Sequence, residues 1–74
     1  LLARARQLSA QQIRATVRRH DFAKTQQRGS HERWRSRDGQ STVIVYDFRG
    51  RPLPRATVRA IIEASRIPEE EFFE

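Results

Sequence analysis

Apolar positions along this chain change period twice, and the changes divide it into elements. Ile13 and Val17 share one face of a helix at i, i+4, while Arg14, Arg18 and Arg19 cover its other sides. Ser9 and Gln12 fit a capping box, and Leu8 with Ile13 fits the hydrophobic staple that accompanies it. The pattern predicts a helix from Ala10 to Arg19 or His20, ended by Asp21. From Phe22 the period drops to that of strands. Residues 22–28 read as a polar strand broken by Gly29, residues 30–36 as a second strand, and residues 41–46 as a third with the β-forming run Thr42-Val43-Ile44-Val45-Tyr46. Asp38-Gly39 is a two-residue hairpin signal between the last two. The helical period returns at Pro54, with Val58, Ile61 and Ile62 as the buried stripe, and ends at Ser65-Arg66. Pro68 opens a final short turn with Glu69, Glu70 and Glu71 at its start, pinned to the core by Phe72 or Phe73.

Register follows by counting outward from Asp38-Gly39. Trp34 faces Val43, Arg33 faces Ile44 and His31 faces Tyr46. Alternation then puts Trp34, Val43 and Val45 on a core face, and His31, Arg33, Arg35, Ile44 and Tyr46 on the opposite one. The expected architecture is α+β in the order α-β-β-β-α. Two helices cover one side of a three-stranded antiparallel sheet, and the other side is left open. Residues 1–8 read as an N-terminal arm and 9–74 as a single domain.

Charge makes the open face interesting. All fifteen Lys and Arg residues lie within positions 1–66 with only five of the nine acids, while Glu69, Glu70, Glu71 and Glu74 crowd the end. A basic body of this density suits a polyanion, most often nucleic acid. The absence of cysteine excludes a disulfide framework and a thiolate metal site, and is in keeping with a cytoplasmic setting. Two histidines far apart in sequence do not make a zinc site, and no cofactor is expected. No apolar run approaches the ~20 residues that span a bilayer.

The run Arg28-Gly29-Ser30-His31-Glu32-Arg33-Trp34-Arg35 carries the candidate chemistry. Histidine titrates near neutrality, and arginine offers planar forks that match phosphate. Lys24, Arg28, Arg33 and Arg35 form one basic group at the open face or its edge, and Arg55 and Arg59 a second on the later helix. On residue type alone His31 is either a proton carrier or an exposed strand histidine without chemistry. Tyr46 beside it is either a phosphate donor or a packing partner. His20 reads as a cation at a helix end. No Gly-rich phosphate loop, paired-carboxylate motif or Ser-His-Asp arrangement is present.

The series Gly29-Ser30-His31, Asp38-Gly39, Leu53-Pro54, Thr57-Val58-Arg59, Ile61-Ile62 and Pro68-Glu69-Glu70-Glu71-Phe72 resembles the HicA-type mRNA interferase toxins from about Ser9 to Phe72. The resemblance implies a fold like that of double-stranded-RNA-binding domains and a toxin that cleaves mRNA without the ribosome. It also implies a HicB-type antitoxin that masks the toxin. The family's catalytic histidine maps to His31, with Lys24, Arg28, Gly29, Ser30, Arg33, Arg35, Tyr46, Arg55 and Arg59 as candidate RNA contacts. Many members carry Pro-x-His at the end of the third strand, where this chain has Tyr46-Asp47-Phe48, and a Gly before the second helix, where Ala56 stands. The alternative from another class is a non-catalytic RNA-binding module with the same fold. A third reading is a protein-interaction domain whose arginines meet an acidic partner.

Overall fold

A computed structural model describes residues 7–73, so most of the expected N-terminal arm lies outside the described residues. The first helix, α1 (Ala10–Arg19), begins where the caps require. The Ser9 hydroxyl accepts from the Gln12 backbone N–H, and the Gln12 side-chain oxygen accepts from the Ser9 N–H at 2.9 Å. Leu8 and Ile13, the two halves of the staple, are both buried. Asp21 ends the helix by adopting φ 67°, a left-handed conformation that a short polar side chain tolerates.

Three antiparallel strands follow in the spatial order of the chain: β1 (Phe22–Arg28), β2 (His31–Ser36) and β3 (Thr42–Tyr46). The register between β2 and β3 is the one counted from the sequence, with His31 opposite Tyr46, Arg33 opposite Ile44 and Trp34 opposite Val43. The connecting turn is wider than two residues. Residues 37–40 form the loop, the Gly39 N–H bonds back to the Ser36 carbonyl at 2.9 Å, and the Asp38 carboxylate accepts from the Ser36 hydroxyl and the Gln40 N–H. The register survives because a four-residue loop adds one residue to each side of the pair.

The second helix, α2 (Arg55–Ser65), has Pro54 as its N-cap and Arg66 in a left-handed C-cap at φ 61°. A 3₁₀ turn (Glu69–Phe72) closes the chain and is tied to the end of α1, where Glu71 accepts from His20 at 3.3 Å and from Arg19. His20 therefore joins two elements as well as sitting at a helix end. Both helices lie on one face of the sheet, over Phe22, Trp34, Val43 and Val45. Trp34 is 1% exposed at the centre of this core, which settles its role as packing. Val58, Ile61 and Phe72 are buried from the C-terminal side, while Ile62 and Phe73 pack at the margin.

The cap at Ser9 is expected to carry measurable stability. Ser9→Ala should cost about 1 kcal/mol, which in a domain this small lowers the thermal midpoint by ~4–8 °C. A calorimetric scan checks it, and an unchanged midpoint would show that α1 is held by packing alone.

Candidate active site

The turn before His31 sets its position. Arg28 pairs with His31 across a two-residue loop, Gly29-Ser30, so this is the tight hairpin of the molecule. Gly29 has φ 56° and Ser30 a negative φ, the pattern a type II′ turn requires. The Ser30 carbonyl accepts from the Asp47 N–H at 3.0 Å, which ties the turn to the end of β3. His31 thus opens β2 opposite Tyr46, whose ring it meets edge-on at a centroid distance of 4.3 Å. The imidazole is exposed, and among the described residues no group hydrogen-bonds to it. Tyr46 is half-buried and lies parallel to Phe48, with centroids 6.2 Å apart.

Arg28 reaches the same face through an irregularity in β1. The strand begins with Phe22 in the core, so unbroken alternation would send Arg28 to the helix side. One extra residue at Thr25, between Lys24 and Gln26, flips the phase. Arg28 then falls beside His31, and Gln26 beside Arg33. Arg28, His31, Arg33, Gln26 and Ile44 line a shallow concavity together with Glu32, whose carboxylate is turned to the core side. None of the residues that the register places on this face is acidic.

The remaining candidates lie apart from that cluster. Arg35 shares the face but donates to the Gly39 carbonyl at 3.2 Å, so it also holds the hairpin loop. Lys24 pairs with Trp34 and lies on the helix side of the edge strand, where its ammonium donates to Gln27. Arg55 and Arg59 line a second concavity with Leu53, Ile62 and Phe73, in the helix layer. Arg28, Gly29, Ser30, His31, Arg33 and Tyr46 are therefore brought together, and Lys24, Arg55 and Arg59 are not.

Beneath the site lies a group that the sequence reading missed. Glu32 points into the core side, with its side chain 5% exposed. Arg14 of α1 grips it bidentately, Nε to Oε1 at 2.8 Å and Nη2 to Oε2 at 2.6 Å. The same Nη2 donates to Asp47 Oδ2 at 2.8 Å, and Trp34 Nε1 donates to Glu32 Oε1 at 2.9 Å. The Arg14 hydrogen bond holds the Glu32 carboxyl below its ordinary range against the opposing effect of burial. Asp47 is lowered by Arg14 and by the Gly50 N–H, and Arg14 itself is raised by its two carboxylate partners. Glu32 adjoins His31 and Asp47 adjoins Tyr46, so one guanidinium braces the chain next to both rings. The available signal was a carboxylate in phase with Trp34, a core position that demands a partner. Among the described residues no cluster of three or more His, Cys, Asp or Glu is placed to hold a metal ion.

The family model of the HicA toxin of bacterial toxin-antitoxin matches residues 10–67, from the first residue of α1 through α2. No curated protein matches the chain.

The Arg14 brace makes stability depend on acid. A carboxyl lowered in the folded state contributes stability above its unfolded pKa and loses it as pH falls through the folded one. Resistance to urea should therefore weaken on acidification below the ordinary glutamate range, with a shallower loss in Glu32→Gln. Arg14→Ala strands a buried carboxylate and should cost roughly 3 kcal/mol, the low end for breaking a buried pair because Arg14 is partly exposed. Identical acid sensitivity in wild type and Glu32→Gln would remove Glu32 from this account.

Proposed function

The chain belongs to the HicA toxin family and is the toxin side of a bacterial toxin–antitoxin system; from that premise we propose that it is a ribosome-independent endoribonuclease acting on mRNA in the cytoplasm. The observation that carries the proposal is the exposed His31 on a basic sheet face, flanked by Arg28 and Arg33, with the carboxylate of neighbouring Glu32 held by Arg14. Positive charge draws the RNA backbone, and guanidinium forks contact phosphate oxygens in the geometry they match best.

In the proposed reaction His31 takes the proton of a ribose 2′-hydroxyl. The 2′-oxygen attacks the adjacent phosphorus, and the bond from phosphorus to the 5′-oxygen breaks. Water on the open face supplies the proton that the leaving oxygen needs. Arg28 and Arg33 offset the charge that grows on the non-bridging oxygens, and the Tyr46 hydroxyl is a further donor to them. The nucleophile belongs to the substrate, so the shallow surface needs no deep pocket, and DNA is not cut because it lacks the 2′-hydroxyl. A HicB-type antitoxin covering His31 and part of the arginine cluster, through acidic groups, would silence the enzyme.

A second reading is a non-catalytic RNA-binding module, favoured by Phe48 standing where the resemblance to HicA-type toxins leads one to expect a second histidine. Purified protein incubated with RNA in EDTA separates the two. Cleavage supports the enzyme, whereas saturable binding of intact RNA supports the module.

His31→Ala should lower the cleavage rate by about 10²–10⁴-fold, the usual worth of a positioned proton carrier. It should also relieve growth arrest on induction. The residue is exposed, so stability should change by no more than about 0.5 kcal/mol. A folded His31→Ala protein that still cleaves RNA and arrests growth at the wild-type level would sink the assignment.

A further inference from the structure

Phe48 has no role in the reaction above, yet its placement is unusual. It is 41% exposed and Ile44 is 39% exposed, and these two are the large apolar side chains left in solvent among the described residues. Its ring is within 7° of parallel to Tyr46, and Tyr46 in turn carries the edge of His31. Across the sheet, Arg28 on β1, His31 on β2 and Tyr46 on β3 make one row, and Phe48 stacks against Tyr46 at its end. Adjacent strands lie roughly 4.8 Å apart, so the row is short enough for a single nucleotide and its flanking phosphate to touch several of its members.

We infer that Phe48, backed by Tyr46, is a stacking platform for an unpaired base of the bound RNA. The inference rests on the RNA reading of this face and narrows it to single-stranded substrate. Charge chooses the occupant. The cations Arg28 and Arg33 on this face suit a phosphate backbone, the nearby carboxylates Glu32 and Asp47 are both paired with Arg14, and an aromatic face accepts any base because every base has a π face. A protein hot spot would instead set its aromatic anchor in a desolvated pocket, and this surface is shallow. Stacking beside His31 gives Phe48 a second consequence. A base held there places its own ribose near the imidazole, so the platform helps to decide which bond is presented for cleavage.

The test uses a short single-stranded RNA of mixed sequence with 2′-O-methyl riboses, which cannot be cut by 2′-oxygen attack, and the same backbone without bases. Phe48→Trp adds an exposed indole to a chain whose own Trp34 is buried. Its emission should be quenched by the base-bearing probe and much less by the abasic one, with affinity within about 2-fold of wild type. Phe48→Leu keeps an apolar side chain but lacks the π face. It should weaken binding of the base-bearing probe by roughly 5- to 150-fold, the loss of one stacked base. The salt slope should not change, because phosphate contacts are untouched. Phe48→Leu affinity equal to wild type, while Arg28→Ala binds weakly, overturns the stacking role and leaves the RNA reading in place. Unchanged RNA affinity with loss of a co-expressed antitoxin reassigns the patch to the protein partner. Wild-type protein that neither binds this probe nor cleaves unmodified RNA removes the RNA reading and the platform together.

Discussion

The grip of Arg14 on Glu32 is the constraint from which the site's geometry follows. A carboxylate on the core side of a small sheet is tolerable only if its charge is met in place, and α1 supplies the partner from one turn beyond its cap. Once Glu32 is held inward, strand alternation leaves His31 and Arg33 nowhere to go but outward. A slip of one residue would expose Trp34 and bury two arginines. The same guanidinium reaches Asp47, whose backbone closes on the Ser30 turn, so α1, the β1–β2 hairpin and the end of β3 are joined around one charge. Fold stability and site geometry therefore share their residues.

In the proposed reaction the open face needs no deep pocket, because the nucleophile arrives with the ligand. A 74-residue chain has little interior to spare, and its core is already occupied by Trp34 and the aliphatic side chains of both helices. Local irregularities then place the groups that matter. A positive φ at Gly29 makes the hairpin tight enough to set Arg28 beside His31, and the bulge at Thr25 turns Arg28 to the correct side. Neither device adds much stability. Each changes where a charge points.

Much of this was legible in the sequence wherever the signal was local or periodic. The cap at Ser9, the stripes of both helices and the β2–β3 register all rest on spacing, and the structure matches them even though the Asp38-Gly39 loop is wider than a two-residue turn. What was not legible was non-local or depended on one inserted residue. Nothing in the composition of residues 22–28 announces a bulge, so the sides taken by Arg28 and Lys24 could not be assigned from alternation. The pairing of Arg14 with Glu32 and Asp47 joins three elements and has no period to betray it. Arg55 and Arg59 look like neighbours of the other arginines only in a list of charges. In space they line a different concavity.

In the proposed reaction His31 promotes attack by the ribose itself. The most direct test of this step is the chemistry of the cut ends, read by mass spectrometry on fragments made by purified protein in the presence of EDTA. Attack by the 2′-oxygen predicts a 2′,3′-cyclic phosphate, or the 3′-phosphate it hydrolyses to, on one fragment and a free 5′-hydroxyl on the other. Fragments ending in a 3′-hydroxyl and a 5′-phosphate would mean that water or another nucleophile attacks from the opposite side, and would contradict it.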